Sequence, residues 1–194
     1  LLRYVETPQY LRKDLFPFMK ELRYAGLLPP LRTPHHPLQD ERDNKGDIRE
    51  AAVQEVTRGR SYLNIGLQER GVFDGEMAEK ERVTVKLGEK LSDKERIVYP
   101  VDEEEIDDYW GYEVFKSDDL SQILSKESAD YSIGTSRYGQ NLYEAVERIK
   151  TDRTGAVTVT FGGPYQGIFE ICDRQGVDVD DLFDIVVNTI PNQG

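Results

Sequence analysis

The chain has 194 residues, 38% of them hydrophobic, which is enough for one large domain or two small ones with packed cores. No apolar stretch approaches the length of a membrane span, and the single cysteine, Cys172, excludes an intrachain disulfide and suits a reducing cytoplasm. The net charge of −12 argues against indiscriminate nucleic-acid binding.

The charge is unevenly distributed along the chain. Residues 1–38 hold six Lys/Arg and three Asp/Glu, a balance of +3, whereas residues 39–108 balance −8 and residues 109–194 balance −7. The basic surface is therefore predicted at the amino end, and any contact with a polyanion is expected there.

The first predicted element is an amphipathic helix that starts at Thr7-Pro8, an N-cap residue followed by proline at the first helical position. Apolar residues recur at helical spacing as far as Leu22, but Pro17 should break or kink the helix. The basic side chains on its polar side are either an ordinary solvated face or a contact for RNA. Those assigned to RNA binding at this end of the chain are Arg12, Lys13, Arg23 and Arg32.

The segment from Gly26 to Pro37 holds four prolines and is predicted to be an extended, stiff connector. It also carries adjacent histidines, His35 and His36. Neighbours in an extended chain point to opposite sides, and no Cys or third His follows at ligand spacing, so we predict no metal site. Hydrogen bonding to RNA, or capping of a domain junction, is the role predicted for the two rings.

Residues 40–107 have the pattern of a small β-barrel, with short β-like runs separated by glycines. The predicted strands cover residues 50–56, 61–67, 71–73, 82–87 and 96–101. The acidic cluster at 102–108 lacks the glycine and the spacing of a calcium loop, so it is predicted to be a solvated linker.

The last third alternates between helix and strand, as in an α/β sheet. A short helix capped by Ser117 or Asp118 precedes a strand at 131–135, and a helix at 141–150 follows. Two further β-branched runs, 156–160 and 184–187, are predicted to be buried strands of a mostly parallel sheet.

Two loops rich in glycine and proline follow those last two runs, at 161–167 and 188–194. Ligands of parallel sheets bind at the carboxyl ends of the strands, and glycines there let the backbone approach a ligand closely. If the two strands are neighbours, the loops form a small-molecule site made of backbone. The alternative is that Gly-Gly-Pro is only a turn. The loop matches neither a Walker loop, since no Gly-Lys-Ser/Thr follows, nor the dinucleotide fingerprint.

Several motifs together resemble one family. Phe-Gly-Gly-Pro-Tyr-x-Gly at 161–167 and Asn-Thr-Ile-Pro-x-Gln at 188–193 are similar to the knot loops of SPOUT-class RNA methyltransferases, in particular the archaeal and eukaryotic branch. Segments 7–12, 26–37 and 109–114 fit that branch in the same order and extend the resemblance over most of the chain.

The resemblance implies an α/β trefoil-knot domain interrupted by an OB-like barrel. The implied division is 1–39 and 108–194 for the knot domain and 40–107 for the barrel. The family has further elements before residue 1 and after residue 194, so we expect this chain to be a piece truncated at both ends.

The resemblance also implies S-adenosylmethionine as the cofactor and methyl transfer to RNA as the activity. Arg137, from the Ser-Arg at the end of the 131–135 strand, would anchor a phosphate or stabilise the acceptor as it loses its proton. His35 and His36 match the family's connector motif. The residues expected to hold the cofactor are Thr135, Phe161, Gly162, Gly163, Gly167, Asn188, Thr189, Ile190, Asn192 and Gln193.

We therefore expect a cytoplasmic RNA methyltransferase that acts on ribosomal RNA as a homodimer, needs no metal and has no membrane partner. The alternative is an RNA-binding or ribosome-assembly protein with the same fold and no methyl transfer. A nucleotide-binding hydrolase is disfavoured, because the Gly-Lys-Ser/Thr of such enzymes is missing.

Overall fold

The computed structural model describes residues 1–38, 41–126 and 130–190, which fall into two compact units, Leu1–Val114 and Phe115–Gly194. Each unit has its own buried hydrophobic core. In the described ranges, no helix is both long enough and apolar enough to cross a membrane.

The first unit is built around a closed five-stranded barrel. Its strands are β1 (Ile48–Thr57), β2 (Arg60–Asn64), β3 (Arg70–Phe73), β4 (Arg82–Ser92) and β5 (Glu95–Pro100). They follow the order β1-β2-β3-β5-β4, with β4 returning to β1. All pairs are antiparallel except β3 and β5. The predicted small barrel is confirmed.

Alternating apolar residues of the strands fill the barrel interior, as the period of two requires. The core residues are Ala51, Val53, Leu63, Ile65, Val85, Leu87 and Val98, all at most 1% exposed. β2 ends at Asn64 rather than at the predicted Leu67. The Asn64 side chain accepts a hydrogen bond from Gly66 N, and Gly66 has a φ of +72°, so the chain turns away from the ladder there.

The chain before the barrel consists of short helical turns packed on β1 and β2. They are α1 (Leu2–Glu6), a 3-10 turn at Gln9–Leu11, α2 (Arg12–Leu15) and 3-10 turns at Lys20–Leu22 and Ala25–Leu27. Tyr10 Oη donates to Glu50 O at 2.9 Å, which fixes this segment to β1. The prediction that Thr7 caps a following helix is wrong. Thr7 ends α1, where its N–H and hydroxyl both donate to Arg3 O, and the break expected at Pro17 is present.

A buried polar cluster ties α1, β1, β4 and the segment after the barrel together. Arg82 of β4 pairs with both Glu6 and Glu50. Thr84 Oγ1 and Trp110 Nε1 each donate to Glu50 Oε1 at 2.6 Å. Because every carboxylate in the cluster faces a cation or several donors, the buried charges are compensated. Residues 110–114 therefore belong to the same unit as the barrel, and the boundary between the units falls after Val114.

The second unit contains a three-stranded parallel sheet with helices around it. The elements are α3 (Leu120–Lys126), β6 (Tyr131–Asn141), α4 (Leu142–Asp152), β7 (Val157–Phe161), α5 (Ile168–Gln175), α6 (Val179–Leu182) and β8 (Ile185–Asn188). This is the predicted α/β alternation. Asp119, not Ser117 or Asp118, caps α3, since its carboxylate accepts from Ser121 N at 2.9 Å.

The strand order is β7-β6-β8, which corrects two predictions. The strands that carry the two loops are not neighbours, because β6 lies between them and pairs in parallel with both. β7 is also not buried, unlike β8 at the other edge, where Ile185 and Val187 are in the core. Val157 and Val159 are 37% and 47% exposed although they share a face with the buried Tyr131 and Ile133.

Candidate functional site

The carboxyl ends of β7, β6 and β8 lie at one edge of the parallel sheet. Thr135, the last residue of β6 before its bulge, pairs with Phe161 on one side and with Val187 on the other, so it is level with the ends of β7 and β8. Thr135 Oγ1 donates to Thr160 O at 2.8 Å, which fastens β6 to the end of β7 at this level. Three sets of predicted site residues therefore come together, one from each strand, in the arrangement that ligand sites of open parallel sheets use.

Arg137 lies in a bulge of β6. Thr135 and Gln140 both face Val187, so residues 136–139 leave the ladder between them. Gly139 allows this, since a Cβ on it would come within 2.6 Å of the Val187 carbonyl carbon. The Asn188 side chain donates to Arg137 O at 3.2 Å and holds the bulge against the end of β8. Bulges of this kind re-aim side chains beside active sites.

The Arg137 side chain is exposed and keeps its positive charge. Its guanidinium donates to Tyr138 Oη at 2.6 Å, and its central carbon lies 4.7 Å from the centroid of that ring. Tyr138 in turn contacts Phe169 edge to face, with centroids 6.2 Å apart. Within the part of the chain that the structure describes, no carboxylate lies within ion-pair distance of Arg137. The cation is therefore available to an anionic ligand.

The glycine loop after β7 is an open turn. Gly163 N donates to Gln166 O at 2.8 Å, and Gly162 approaches Gly167 so closely that a Cβ would lie 2.9 Å from the Gly167 Cα. A Cβ on Gly163 would meet only Gln166 O, at 3.6 Å. Gly162 therefore shapes the turn, whereas Gly163 offers exposed backbone beside free space. Next to it is a cavity of about 370 Å³, lined by Pro164, Tyr165 and Arg174 among others.

The loop after β8 begins with an Asx turn in which Asn188 Oδ1 accepts from Ile190 N at 3.0 Å. Thr189 and Ile190 are exposed at the same sheet edge. The predicted cofactor residues Asn192 and Gln193 lie outside the described residues.

Sequence reasoning missed Tyr138 and Arg174. The aromatic ring beside Arg137 could have been noticed from its place next to the Ser-Arg pair. Arg174 carries no such signal. It reaches the glycine loop only because α5 turns back along it, and it donates to Gln166 Oε1 at 2.9 Å. Cys172 is in the core at 1% exposure, and burial raises the pKa of its thiol.

The basic side chains of the amino end lie on the first unit. Lys13, Arg23 and Arg32 are exposed, whereas Arg12 is half-buried and donates to the Thr7 and Val5 carbonyls. His35 is fully buried, which leaves it no surface for an RNA contact. Its ring lies 3.4 Å from Glu6 Oε1 and 3.1 Å from Thr33 Oγ1, both within the first unit.

His36 is partly accessible, and its Nε2 contacts Glu6 O at 2.5 Å. Burial lowers the pKa of His36 by more than the hydrogen bond to the Glu6 carbonyl raises it. The ring is therefore neutral at pH 7. In the described ranges, no three His, Cys, Asp or Glu side chains form a cluster that could hold a metal ion.

Comparison with known proteins adds a family assignment to this geometry. The profile of the family described as "Putative RNA methyltransferase" matches residues 1–194. A 28S rRNA (uridine-N(3))-methyltransferase of Drosophila melanogaster is 36% identical over 209 residues, and the alignment covers the whole chain and 42% of that protein. The human protein of the same name is 33% identical over 216 residues, with 54% of it covered. An uncharacterized protein of Haloarcula marismortui is 32% identical over 212 residues, and 72% of it is covered.

Proposed function

The chain belongs to the RNA methyltransferase family whose profile spans it from end to end, and from this premise we propose that it is part of an S-adenosylmethionine-dependent enzyme that methylates N3 of a uridine in ribosomal RNA. The chain spans about half the length of the two named relatives, so the proposed activity is that of the whole protein. The uridine comes from the names of those relatives.

One observation carries the proposal: the glycine loop, the Asn188 loop and the unpaired Arg137 share one edge of the sheet. Loops at strand ends can bind a small molecule through backbone groups, and a cation between them can act on the acceptor. For methyl transfer, the protein has mainly to align the two reactants. This agrees with the predicted site residues, which include no acid–base pair.

The residues at this edge fit S-adenosylmethionine. The free space at Gly163 and the exposed backbone of the glycine loop suit a compact ligand held mainly by main-chain groups. Thr135, Phe161 and Gly162 would line one side, and Asn188, Thr189 and Ile190 the other. The bound cofactor supplies a methyl group already activated on a sulfonium.

Uracil N3 carries a proton, which must leave as the nitrogen takes up the methyl group. The negative charge that develops on the ring is shared with the flanking carbonyl oxygens. We assign Arg137 to stabilising that charge, since a guanidinium donates several hydrogen bonds and remains protonated. N3 also lies on the Watson–Crick edge, so the target uridine must be unpaired when it reacts.

The proposal includes the finer fold. The barrel order β1-β2-β3-β5-β4, closed through β4 and β1, supports an OB-like insertion at 40–107. The parallel sheet of the second unit, with loops at its carboxyl edge, supports a trefoil-knot domain. Building that domain from 1–39 and 108–194 follows from the family resemblance, whereas residues 1–38 and 108–114 lie in one compact unit with the barrel. Pairing of that domain with a second copy in a homodimer follows from the same resemblance, as does a cytoplasmic location.

The experiment measures transfer of tritiated methyl groups from S-adenosylmethionine to ribosomal RNA from a strain that lacks the protein, with cofactor affinity determined by calorimetry. Full-length Gly163→Val should lose cofactor binding at unchanged thermal stability, because its side chain occupies the space beside the loop. Gly26→Val is the matched control, since nothing lies within 4 Å of the Cβ position of that glycine, and at Gly163 only Gln166 O does, at 3.6 Å. Unchanged affinity in folded Gly163→Val would remove the cofactor assignment.

Arg137→Ala separates an enzyme from an assembly protein. We expect methyl transfer to fall by about 100-fold or more while RNA affinity changes little, because the contact acts mainly in the transition state. Arg153→Ala, at another exposed arginine of the same unit, should retain full activity. If the wild-type full-length protein binds RNA and cofactor but transfers no label, the protein is the assembly factor.

A further inference from the structure

A second concave site lies on the first unit, between the proline-rich connector and the turn at α2. It is a cavity of about 640 Å³, within the size range of ligand pockets. Its described lining includes Tyr10, Arg12, Leu31, Arg32, Pro34 and His36. None of the residues assigned to methyl transfer or to the cofactor is among them.

The cavity is positive in a chain whose net charge is −12. Among its described lining residues, Arg12, Arg32 and Arg42 are cationic, and Glu41 supplies the one carboxylate. The Arg12 guanidinium donates to Thr7 O at 2.9 Å and to Val5 O at 3.1 Å. These neutral carbonyls fix its position without cancelling its charge, so the cation is preorganised for an anion.

The other charged residues that line the cavity differ in whether they already have a partner. Arg42 is paired with Asp108 at 2.8 Å, and Glu41 accepts from Leu38 N at 2.9 Å. Arg32 is exposed and forms no ion pair within residues 1–38, 41–126 and 130–190. Arg12 and Arg32 are therefore the two cations that an incoming phosphate can reach.

The rest of the wall suits a flat, partly apolar group. Prolines 30 and 34 hold the connector rigid, so an apolar surface formed with Leu31 and the Tyr10 ring is ready before a ligand arrives. His36 adds a hydrogen-bonding group. Its Nε2 faces a carbonyl and carries the proton, so Nδ1 of the neutral ring is an acceptor.

We propose that this cavity binds one unpaired nucleotide of the RNA substrate, with its phosphate on Arg12 and Arg32 and its base against Leu31 and the prolines. The inference rests on the proposed function and adds the form of RNA that is recognised. A base can enter a concave site only after it has left the stack, and the bases of a duplex remain stacked and paired. The protein would thus select RNA whose bases are already unstacked, which is also the state in which uracil N3 can react.

The test measures fluorescence anisotropy of full-length protein with a labelled single-stranded oligoribonucleotide that contains uridines, and with the fully paired duplex of equal length. Arg32→Glu removes a phosphate contact, and Leu31→Trp fills the cavity without changing the charge. Their matched controls are Lys20→Glu and Leu27→Trp. Both controls change exposed residues of the same segment that do not line the cavity, and Leu27 is 82% exposed.

We expect each cavity variant to lower the affinity for the single strand by at least about fivefold more than its control does. The affinity for the duplex, which is weaker, should stay within about twofold of the value for the control. Leu31→Trp should not alter the salt dependence, whereas Arg32→Glu should reduce it. Uridine monophosphate at millimolar concentration should compete weakly with the oligonucleotide. Full competition by the free nucleotide at micromolar concentration would identify a mononucleotide site and overturn the RNA assignment.

The two proposals fail in different ways. If wild-type protein binds single strands but the cavity variants match their controls, the cavity assignment is wrong and the methyltransferase proposal stands. If wild-type protein binds duplex as tightly as single strand, selection of unpaired nucleotides is refuted. If it binds no RNA at all, the proposed function fails with it.

Discussion

Gly139 is the residue on which the position of Arg137 depends. A Cβ at this position would lie 2.6 Å from the Val187 carbonyl carbon and 2.8 Å from the Val186 oxygen, both of them backbone atoms that cannot move aside cheaply. We expect Gly139→Ala to push the 136–139 bulge away from β8, to destabilise the protein by about 1–3 kcal/mol and to lower methyl transfer. Urea unfolding with activity at a permissive temperature is the measurement. Gly163→Ala is the control, and equal stability of the two variants would contradict this reading.

Glu6 is the residue that makes stability depend on pH. Burial alone would raise the pKa of Glu6, but hydrogen bonds from Arg82 and His35 outweigh it and lower the pKa to about 2 from 4.5. A lowered folded pKa means that the unfolded chain takes up more protons as the pH falls. The contribution of Glu6 is therefore complete above pH 4.5 and is lost between 4.5 and about 2.

The corresponding experiment follows the free energy of unfolding from pH 6 to pH 3. Wild type should lose about 2 kcal/mol more than Glu6→Gln over this range, since only the carboxylate titrates. Glu21→Gln, at an exposed glutamate of the same segment, should keep the wild-type slope. Parallel curves for wild type and Glu6→Gln would show that the ion pair with Arg82 does not stabilise the fold.

At the scale of elements, the β1–β2 hairpin has a residue unsuited to its turn. Thr57 pairs with Arg60, and the two residues between them, Arg58 and Gly59, have φ values of +53° and +77°. This is a type I′ turn, which favours Asn-Gly. Arg58→Asn should stabilise the first unit by about 0.5–1 kcal/mol, measurable by thermal unfolding. Arg60→Asn places the same residue in the strand and should not stabilise it.

The secondary-structure elements show which features of the fold the sequence predicts. The barrel strands and the α/β alternation were predicted from the hydrophobic periodicity and the turn residues, because both are local properties of the sequence. The strand order was not predicted, because the position of β6 between β7 and β8 is decided by the crossover helices. Two roles were left open for His35, and its full burial was not predicted, because one of its contacts is Glu6, which lies 29 positions away and has no periodic relation to it.

The molecule as a whole consists of two units with separate cores. Leu63 and Ile168 are both fully buried, one in each unit. We expect Leu63→Ala and Ile168→Ala each to cost about 2–5 kcal/mol in its own unit only. Hydrogen-exchange mass spectrometry should show faster exchange in β1–β5 for the first variant and in β6–β8 for the second. Acceleration throughout the chain by either change would mean that the protein unfolds as one cooperative body.

The central place of β6 has a consequence for the time course of folding. The β1–β2 turn closes between neighbouring residues, whereas Ser132 must find Asp184, 52 positions further along the chain. Closing so long a loop is slow, and parallel strands cannot form without it. During synthesis on the ribosome, β6 and β7 emerge before β8, so the three-stranded sheet cannot be completed until β8 has emerged. The bulge that carries Arg137 is complete only when β8 has paired with β6, so the geometry proposed for catalysis is expected to be among the last features of the protein to form.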